Sequence, residues 1–234
     1  MIKVKWLGQA GYLLDLDGTT ILLDPYLSDI VFEVEKMPRM VEPPLDPQGL
    51  CADLLIATHD HMDHLDPVAV PQMDKLRMKY AGPNSCLKKF ESLGIGTDNL
   101  LLLGRGDTIC FNGIELTGLY ADHTADSIGL YLTYDDLHLY FTGDSLFSSE
   151  LGEGRPVDVL FTCINGKLGN MAVEEAVELT QQTKAKVGIP NHYGMFAANT
   201  EDPRKYLEGV RALGVKGYEA PFNQEFTIQS LLEK

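Results

Sequence analysis

The sequence predicts an α/β fold in which mixed β-sheets pack together and are flanked by helices. Three observations carry that expectation. Tight hairpin turns open the 234-residue chain, a strand-rich stretch occupies its middle, and buried strands alternate with helical segments toward its end. An apolar fraction of 44% is ample for a sizeable core. No linker, short-period repeat or low-complexity tract interrupts the pattern, so residues 1–234 are expected to form one domain.

Each element follows in order. Residues 2–7 read as a strand that passes through Gly8-Gln9-Ala10-Gly11 into a second strand, 12–16. Asp17-Gly18 is a hairpin turn, and 19–23 returns as a third strand ending at Asp24-Pro25. Residues 28–50 carry Pro38, Pro43, Pro44 and Pro47, which break any long helix, and are expected to form a surface excursion bordering the site. Residues 53–57 form a short buried strand. Residues 68–78 suit a helix, and 83–93 another with Pro83 near its start. Strands are then expected at 100–103, 108–111, 114–120, 128–134 and 137–142, with Asn112-Gly113 and Asp135-Asp136 as turns. Residues 157–162 are again a buried strand. Asn170 is expected to cap a helix over 171–183, whose inward stripe is Val173, Ala176, Val177 and Thr180. A strand at 187–190, a helix at 203–213 and strands at 216–219 and 225–228 close the chain.

The net charge of −15 repels nucleic-acid phosphates and anionic membranes, so neither is an expected partner. Short basic clusters at 75–79 and Lys88-Lys89 read as solvated faces of helices. No stretch approaches the roughly 20 apolar residues that span a bilayer. The first residues read as a strand and lack the apolar region of a signal peptide, which places the expected protein in the cytoplasm. Cys51, Cys86, Cys110 and Cys163 are scattered, with no C-x-x-C pair, and read as reduced thiols that mostly serve packing.

The densest chemistry lies in Thr58-His59-Asp60-His61-Met62-Asp63-His64-Leu65-Asp66, which holds three of the six histidines. Imidazole and carboxylate bind divalent transition metals. His59 and His61, two apart on an extended backbone, share one side. Asp63 and His64 lie beyond a bend and can face a second ion nearby. A polar loop after a strand is the bland alternative; three histidines and a carboxylate directly after the apolar run Leu54-Leu55-Ile56-Ala57 favour metal.

Of the other histidines, His123 and His192 each follow a strand, where loops converge in layered folds, and fit a ligand role. His138 has strand residues on both sides and is expected to be structural. Asp144, in Phe141-Thr142-Gly143-Asp144-Ser145, is a further strand-exit carboxylate that could bridge two cations. Gly143 lets the backbone turn close to the site.

These residues together resemble the metallo-β-lactamase superfamily: H-x-H-x-D-H after an apolar strand, then a lone His, a Gly-Asp and a final His, each at a strand end. The resemblance implies a four-layer αββα sandwich with a dinuclear site at the edge of two sheets. It implies that His59, His61 and His123 bind the first metal, that Asp63, His64 and His192 bind the second, and that Asp144 bridges them. Asp24 matches the family's early aspartate, which supports the histidine loop from behind. Trp6-Leu7-Gly8-Gln9-Ala10-Gly11-Tyr12, Asp24-Pro25-Tyr26-Leu27-Ser28-Asp29, the 164–171 stretch and His192-Tyr193-Gly194-Met195-Phe196 are similar to the L-ascorbate-6-phosphate lactonase branch.

Two ions sharing one water lower its pKa to roughly 7, so hydroxide can open a small sugar lactone, with Asp63 orienting the nucleophile and Asp144 shared by the ions. Ser145 lacks the G-x-S-x-G setting, and no cysteine has a histidine near it in sequence. The lactonase resemblance implies a small anionic, phosphorylated substrate. Lys167 is the expected cation for it, with Asn165, Asn170 and Tyr193 as polar neighbours; a surface lysine in a loop is the bland alternative. Histidine with carboxylate suits zinc and also admits manganese or iron; the lactonase resemblance implies manganese for activity, with zinc or nickel able to occupy the site. Assembly into a homo-oligomer stays open. The alternatives are a phosphodiesterase, nuclease or thioesterase on the same scaffold, and a non-catalytic metal-binding regulatory domain.

Overall fold

The computed structural model describes residues 1–233. Strands β1 (Ile2–Gly8), β2 (Gly11–Leu16) and β3 (Thr19–Leu23) form an antiparallel meander. Beyond helix α1 (Ile30–Glu35), strands β4 (Leu54–Ile56) and β5 (Lys79–Gly82), helix α2 (Asn84–Ser92) and strand β6 (Leu100–Leu102) extend this sheet in parallel. The second sheet opens with β7 (Thr108–Phe111), β8 (Ile114–Tyr120), β9 (Ile128–Tyr134) and β10 (Leu137–Phe141), all antiparallel. It continues in parallel through β11 (Val159–Cys163), helix α3 (Val173–Thr183), β12 (Val187–Asn191), helix α4 (Pro203–Ala212) and β13 (Lys216–Gly217). Strand β14 (Glu225–Thr227) returns to β1, and helix α5 (Ile228–Leu232) ends the described chain. Each sheet has seven strands, in the orders 14-1-2-3-4-5-6 and 13-12-11-10-9-8-7.

The sheets meet in one apolar layer, where Val4, Leu14, Ile21 and Ile56 of the first join Leu116, Leu130, Leu139 and Phe161 of the second. Tyr12 sets its ring edge-on to Phe141 and Phe161, at 5.4 and 5.1 Å between centroids. Such pairs contribute about 0.5–1.5 kcal/mol each beyond their burial. All three residues of β4 are buried because this strand is covered on both faces. Leu54 and Ile56 face the inter-sheet core, and Leu55 joins Tyr80, Cys86 and Phe90 in the outer layer that includes α2. Helices α3 and α4 pack on β11, β12 and β13, and Thr180 Oγ1 lies 2.8 Å from Tyr206 Oη between them. The result is two mixed sheets flanked by helices, as expected.

Local differences have local causes. Residues 68–78 do not form a helix: a single 3-10 turn, Val70–Gln72, ends at Met73, whose ψ of 169° is extended. Pro71 has no N–H for a helical ladder, Asp74 N–H donates to Leu50 O, and Leu76 is 91% exposed, so the inward packing of Ala69, Val70 and Met73 does not continue with a helical period. The chain thereby reaches β5, a strand whose short, glycine-ended sequence gives little period to read. The 75–79 basic cluster accordingly lies on turns and a strand, and only Lys88-Lys89 sits on a helix. Asn170 does not cap α3; its Nδ2 donates to Asn165 Oδ1, and the helix starts at Val173 with Ala172 N–H donating to Glu175 at 2.8 Å. Residues 28–50 contain α1 and otherwise irregular chain. Of the free cysteines, Cys86 and Cys163 are buried and Cys51 and Cys110 exposed, so packing accounts for two of the four.

Candidate metal centre

Parallel strands bring their carboxyl ends to one edge, and the chemistry gathers there. β3 delivers Asp24, β4 the histidine loop, β8 His123, β10 Asp144 and β12 His192. The backbone is bent to suit: Gln9, Asp24, Leu168 and His192 all hold positive φ, at 48°, 43°, 54° and 60°. Such conformations cost on the order of 1–3 kcal/mol each and persist only where the surroundings impose them. At Gly143, φ +60°, a Cβ would meet Ile128 O at 3.0 Å and Thr58 Cβ at 3.2 Å, so only glycine lets Asp144 come this close to the histidine loop.

Two nests of donors result. In one, His59 Nε2 lies 3.0 Å and His123 Nε2 3.2 Å from His61 Nδ1. The edge of a tetrahedron of nitrogens around zinc at 2.0–2.1 Å is about 3.3 Å, close to these spacings. Burial holds His59 well below the usual imidazole range, and it lowers His61 too, helped by the neighbouring His123 and His64. The second nest groups Asp63, His64 and His192, with His192 Nε2 3.7 Å and His64 Nε2 4.0 Å from Asp63 Oδ2. Asp144 lies between: Oδ1 is 3.2 Å from His64 Nε2, and Oδ2 is 3.2 Å from His192 Nε2 and 3.8 Å from His123 Nε2.

Burial disfavours charge on Asp144, but His192 and His64 prevail and hold it well below the usual carboxylate range. Burial likewise lowers His64, and Asp144, Asp24 and Asp63 together outweigh it and raise the pKa well above normal. A pocket that favours a proton this strongly also favours a divalent cation. His64 Nε2 and Asp144 Oδ1 are buried without a hydrogen-bond partner, a cost that a cation between them removes. The residues present therefore fit divalent metal.

A further layer aims these donors. Asp24 is fully buried and accepts from Thr58 N–H at 2.7 Å, Thr58 Oγ1–H at 2.7 Å and His64 Nδ1–H at 2.8 Å, which turns His64 Nε2 inward. His123 Nδ1–H donates to Gly169 O at 3.0 Å, and a Cβ on Gly169 would lie only 2.9 Å from that nitrogen. Asp66 anchors the loop by accepting from Leu27, Val68 and Ala69 N–H and from Ser28 Oγ–H. Gln9 is an addition that the sequence did not single out: its Nε2–H donates to Asp63 Oδ2 at 2.8 Å, and its carbonyl accepts from His192 N–H at 3.0 Å. The one local signal was a polar residue in a turn between Gly8 and Gly11.

The donors open into a cavity of about 430 Å³. Its floor holds His61, Asp63, His123, Asp144 and His192, and its walls include Val31, Met37, Met62, Leu168 and Phe196. Glu35 and Asp60 stand at its exposed rim. The four residues expected around a substrate lie elsewhere. Asn165 and Asn170 are buried and bonded to one another, with Asn165 Nδ2–H also donating to Asn199 Oδ1 at 2.7 Å. Tyr193 packs against Trp6 with its ring tilted by 36° at 4.9 Å between centroids, and lines a separate apolar cavity. Lys167 Nζ–H donates to Ala198 O at 3.1 Å and lines a surface pocket with Glu174, Glu201 and Lys205. His138 stacks on Tyr131 at 5.8 Å and belongs to neither nest.

A family model described as a β-lactamase superfamily domain matches residues 3–192. The chain is 27% identical over 229 residues to a UPF0173 metal-dependent hydrolase of Methanopyrus kandleri, covering 92% of this chain and 94% of that one. A relative of the same description from Archaeoglobus fulgidus is 27% identical over 232 residues, with 92% and 93% covered. Among solved structures, a possible metal-dependent hydrolase from Veillonella parvula superimposes with a TM-score of 0.81 at 19% identity, covering 97% and 99% of the chains. A metallo hydrolase from Ignicoccus hospitalis gives 0.76 at 19% identity, covering 97% of each.

Proposed function

The chain belongs to the metallo-β-lactamase superfamily, and from that premise we propose that it is a metal-dependent hydrolase whose dinuclear site opens a carboxylic ester or lactone with water. The observation that carries this reading is Asp144, whose two oxygens each lie 3.2 Å from a histidine nitrogen of the second nest, with His123 of the first nest at 3.8 Å. His59, His61 and His123 would hold one ion, Asp63, His64 and His192 the other, and Asp144 both. Manganese or zinc suits this nitrogen and oxygen set, and nickel and iron are compatible. When bound, such ions acidify water and draw electron density from a carbonyl oxygen.

The chain's own residues supply the rest. Asp63 is held by Gln9 through Oδ2, which leaves its other oxygen to orient water and take its proton. Asp24 and Gly169 O fix the ring nitrogens that His64 and His123 present. Among the described residues no serine or cysteine lines the cavity: Ser145 is buried with its Oγ–H donating to Leu146 O, and burial pushes the Cys86 and Cys163 thiols far up, Cys163 to about 12. A phosphorylated sugar lactone, the substrate implied by the resemblance, meets no Lys or Arg among the described cavity walls and is the weaker form of the reading. A nuclease is disfavoured by the same walls, by Glu35 and Asp60, and by the net charge of −15.

The test is a panel of lactones, carboxylic esters, thioesters and phosphodiesters against metal-loaded protein in ¹⁸O-water. Carbonyl substrates should turn over, with one solvent oxygen entering the product acid in a single turnover. Turnover of phosphodiesters alone, or a trapped acyl-enzyme, would overturn the proposal.

A further inference from the structure

From the walls of the metal cavity we infer that the substrate carries an apolar, non-anionic group beside its reacting carbonyl, and that Leu168 is a residue that selects it. This rests on the ester or lactone reading above. Beyond the metal donors and Asn199, the cavity is walled by Val31, Met37, Met62, Leu168 and Phe196, and among the described residues the only other side chains lining it are Glu35 and Asp60. An anionic group that reached these walls would meet two carboxylates and no Lys or Arg, since the ions proposed for the floor would be taken up by the reacting carbonyl and water. An apolar group meets the partly exposed Met37, Met62 and Leu168, backed by the buried Val31 and Phe196, and removes the exposed surface from water.

These walls are built, not incidental. Val31 and Phe196 belong to a small apolar cluster with Tyr26 and Met195, against which Met37 and Met62 pack. Arg39 ties the covering segment down: its guanidinium donates to Tyr26, Ser28 and Val41 carbonyls and stacks 4.4 Å over the Tyr26 ring. Met40 N–H adds a backbone bond to Met195 O at 2.7 Å. The pocket is thus preformed, and binding need not first order it.

Leu168 is the odd member. Its side chain is 69% exposed, yet its backbone is left-handed, a conformation that a leucine adopts at a cost and that glycine or asparagine takes readily. Neither packing nor backbone preference explains leucine there. The adjacent Gly169 carbonyl accepts from His123 Nδ1–H, so the same loop that aims a metal donor also holds an apolar side chain over the cavity.

The experiment pairs binding with turnover. Titration calorimetry of metal-loaded protein with linear monocarboxylates from butanoate to decanoate mimics the product acid without needing turnover. Affinity should rise about two- to fourfold per added methylene until the cavity is full. Decanedioate, with a second anion at the far end, should bind at least tenfold more weakly than decanoate, and E35Q should narrow that gap. L168G and L168N should keep or raise the melting temperature, because they relieve the left-handed leucine. Both should lower the long-to-short chain ratio of kcat/KM about tenfold on alkyl lactones. Chain-length-dependent binding without hydrolysis of any ester or lactone would refute the proposed reaction and leave this inference standing. Hydrolysis that ignores chain length, or equal binding of decanoate and decanedioate, would overturn the inference alone.

Discussion

Asp24→Asn isolates how a residue that points away from the cavity governs the metal donors. The change is isosteric, and Asp24 is fully buried with three donors on its carboxylate. The asparagine oxygen can keep the bond from Thr58 N–H. Its amide nitrogen then replaces Oδ2, the oxygen that accepts from both Thr58 Oγ1–H and His64 Nδ1–H. An N–H group facing His64 Nδ1 requires that nitrogen to be the acceptor, so the ring proton moves to Nε2, the atom that faces Asp144 and Asp63. A protonated Nε2 has no lone pair for a cation.

Loss of such a supporting carboxylate lowers metal affinity about 10–100-fold. Two charge-assisted bonds lost or inverted, at roughly 1.5 kcal/mol or more apiece, put the stability cost near 3 kcal/mol. For a chain of this size that is a melting-temperature drop of about 6–12 °C. Competitive chelation reads the affinity, scanning calorimetry the stability, and long-range ¹⁵N–¹H spectra of the histidine rings the tautomer. A D24N protein that keeps both full metal affinity and the His64 Nδ1–H tautomer would refute the reasoning.

Other perturbations address the remaining parts. Asp144→Ala should lower metal content well below two ions per chain and abolish hydrolysis; elemental analysis showing full retention would remove its bridging role. His138→Gln should leave metal content and activity within a few-fold, whereas His123→Gln should lose both. The metal-free protein should be most stable near pH ~6.5. Below that pH the unfolded chain protonates His59, while burial keeps the folded residue neutral, so stability falls by up to ~1.4 kcal/mol per pH unit. His64 and His192 act oppositely: their raised folded pKa values give stability that is complete below ~6.5 and is lost as pH climbs through those values. Urea denaturation of metal-free protein at pH 5, 6.5 and 8.5 tests this, and a steady rise across the range would contradict it.

Periodicity made β1 to β3, β7 to β10 and the helices α2, α3 and α4 legible, because each has an apolar pattern or a turn pair of its own. The helix expected at 68–78 failed because composition resembled a helix while Pro71 and contacts with Leu50 decided otherwise. Lys167 is not among the residues lining the cavity for a related reason: a loop's sequence places the backbone near a site but does not say where a long side chain points. Lys167 turns to Ala198 O, and its neighbour Leu168 faces the cavity instead.

By itself the sequence determined which side chains are candidate metal donors and that each sits at a strand exit, since chemical type and strand pattern are local properties. Only the tertiary structure decided which of them meet, because strand order gathers β8, β10 and β12 in one sheet and the packing of the two sheets sets β4 of the other against them. It also decided what surrounds them. Gln9 on Asp63, the Gly169 carbonyl on His123 and the apolar walls over the donors are contacts between distant segments, and no local pattern encodes them.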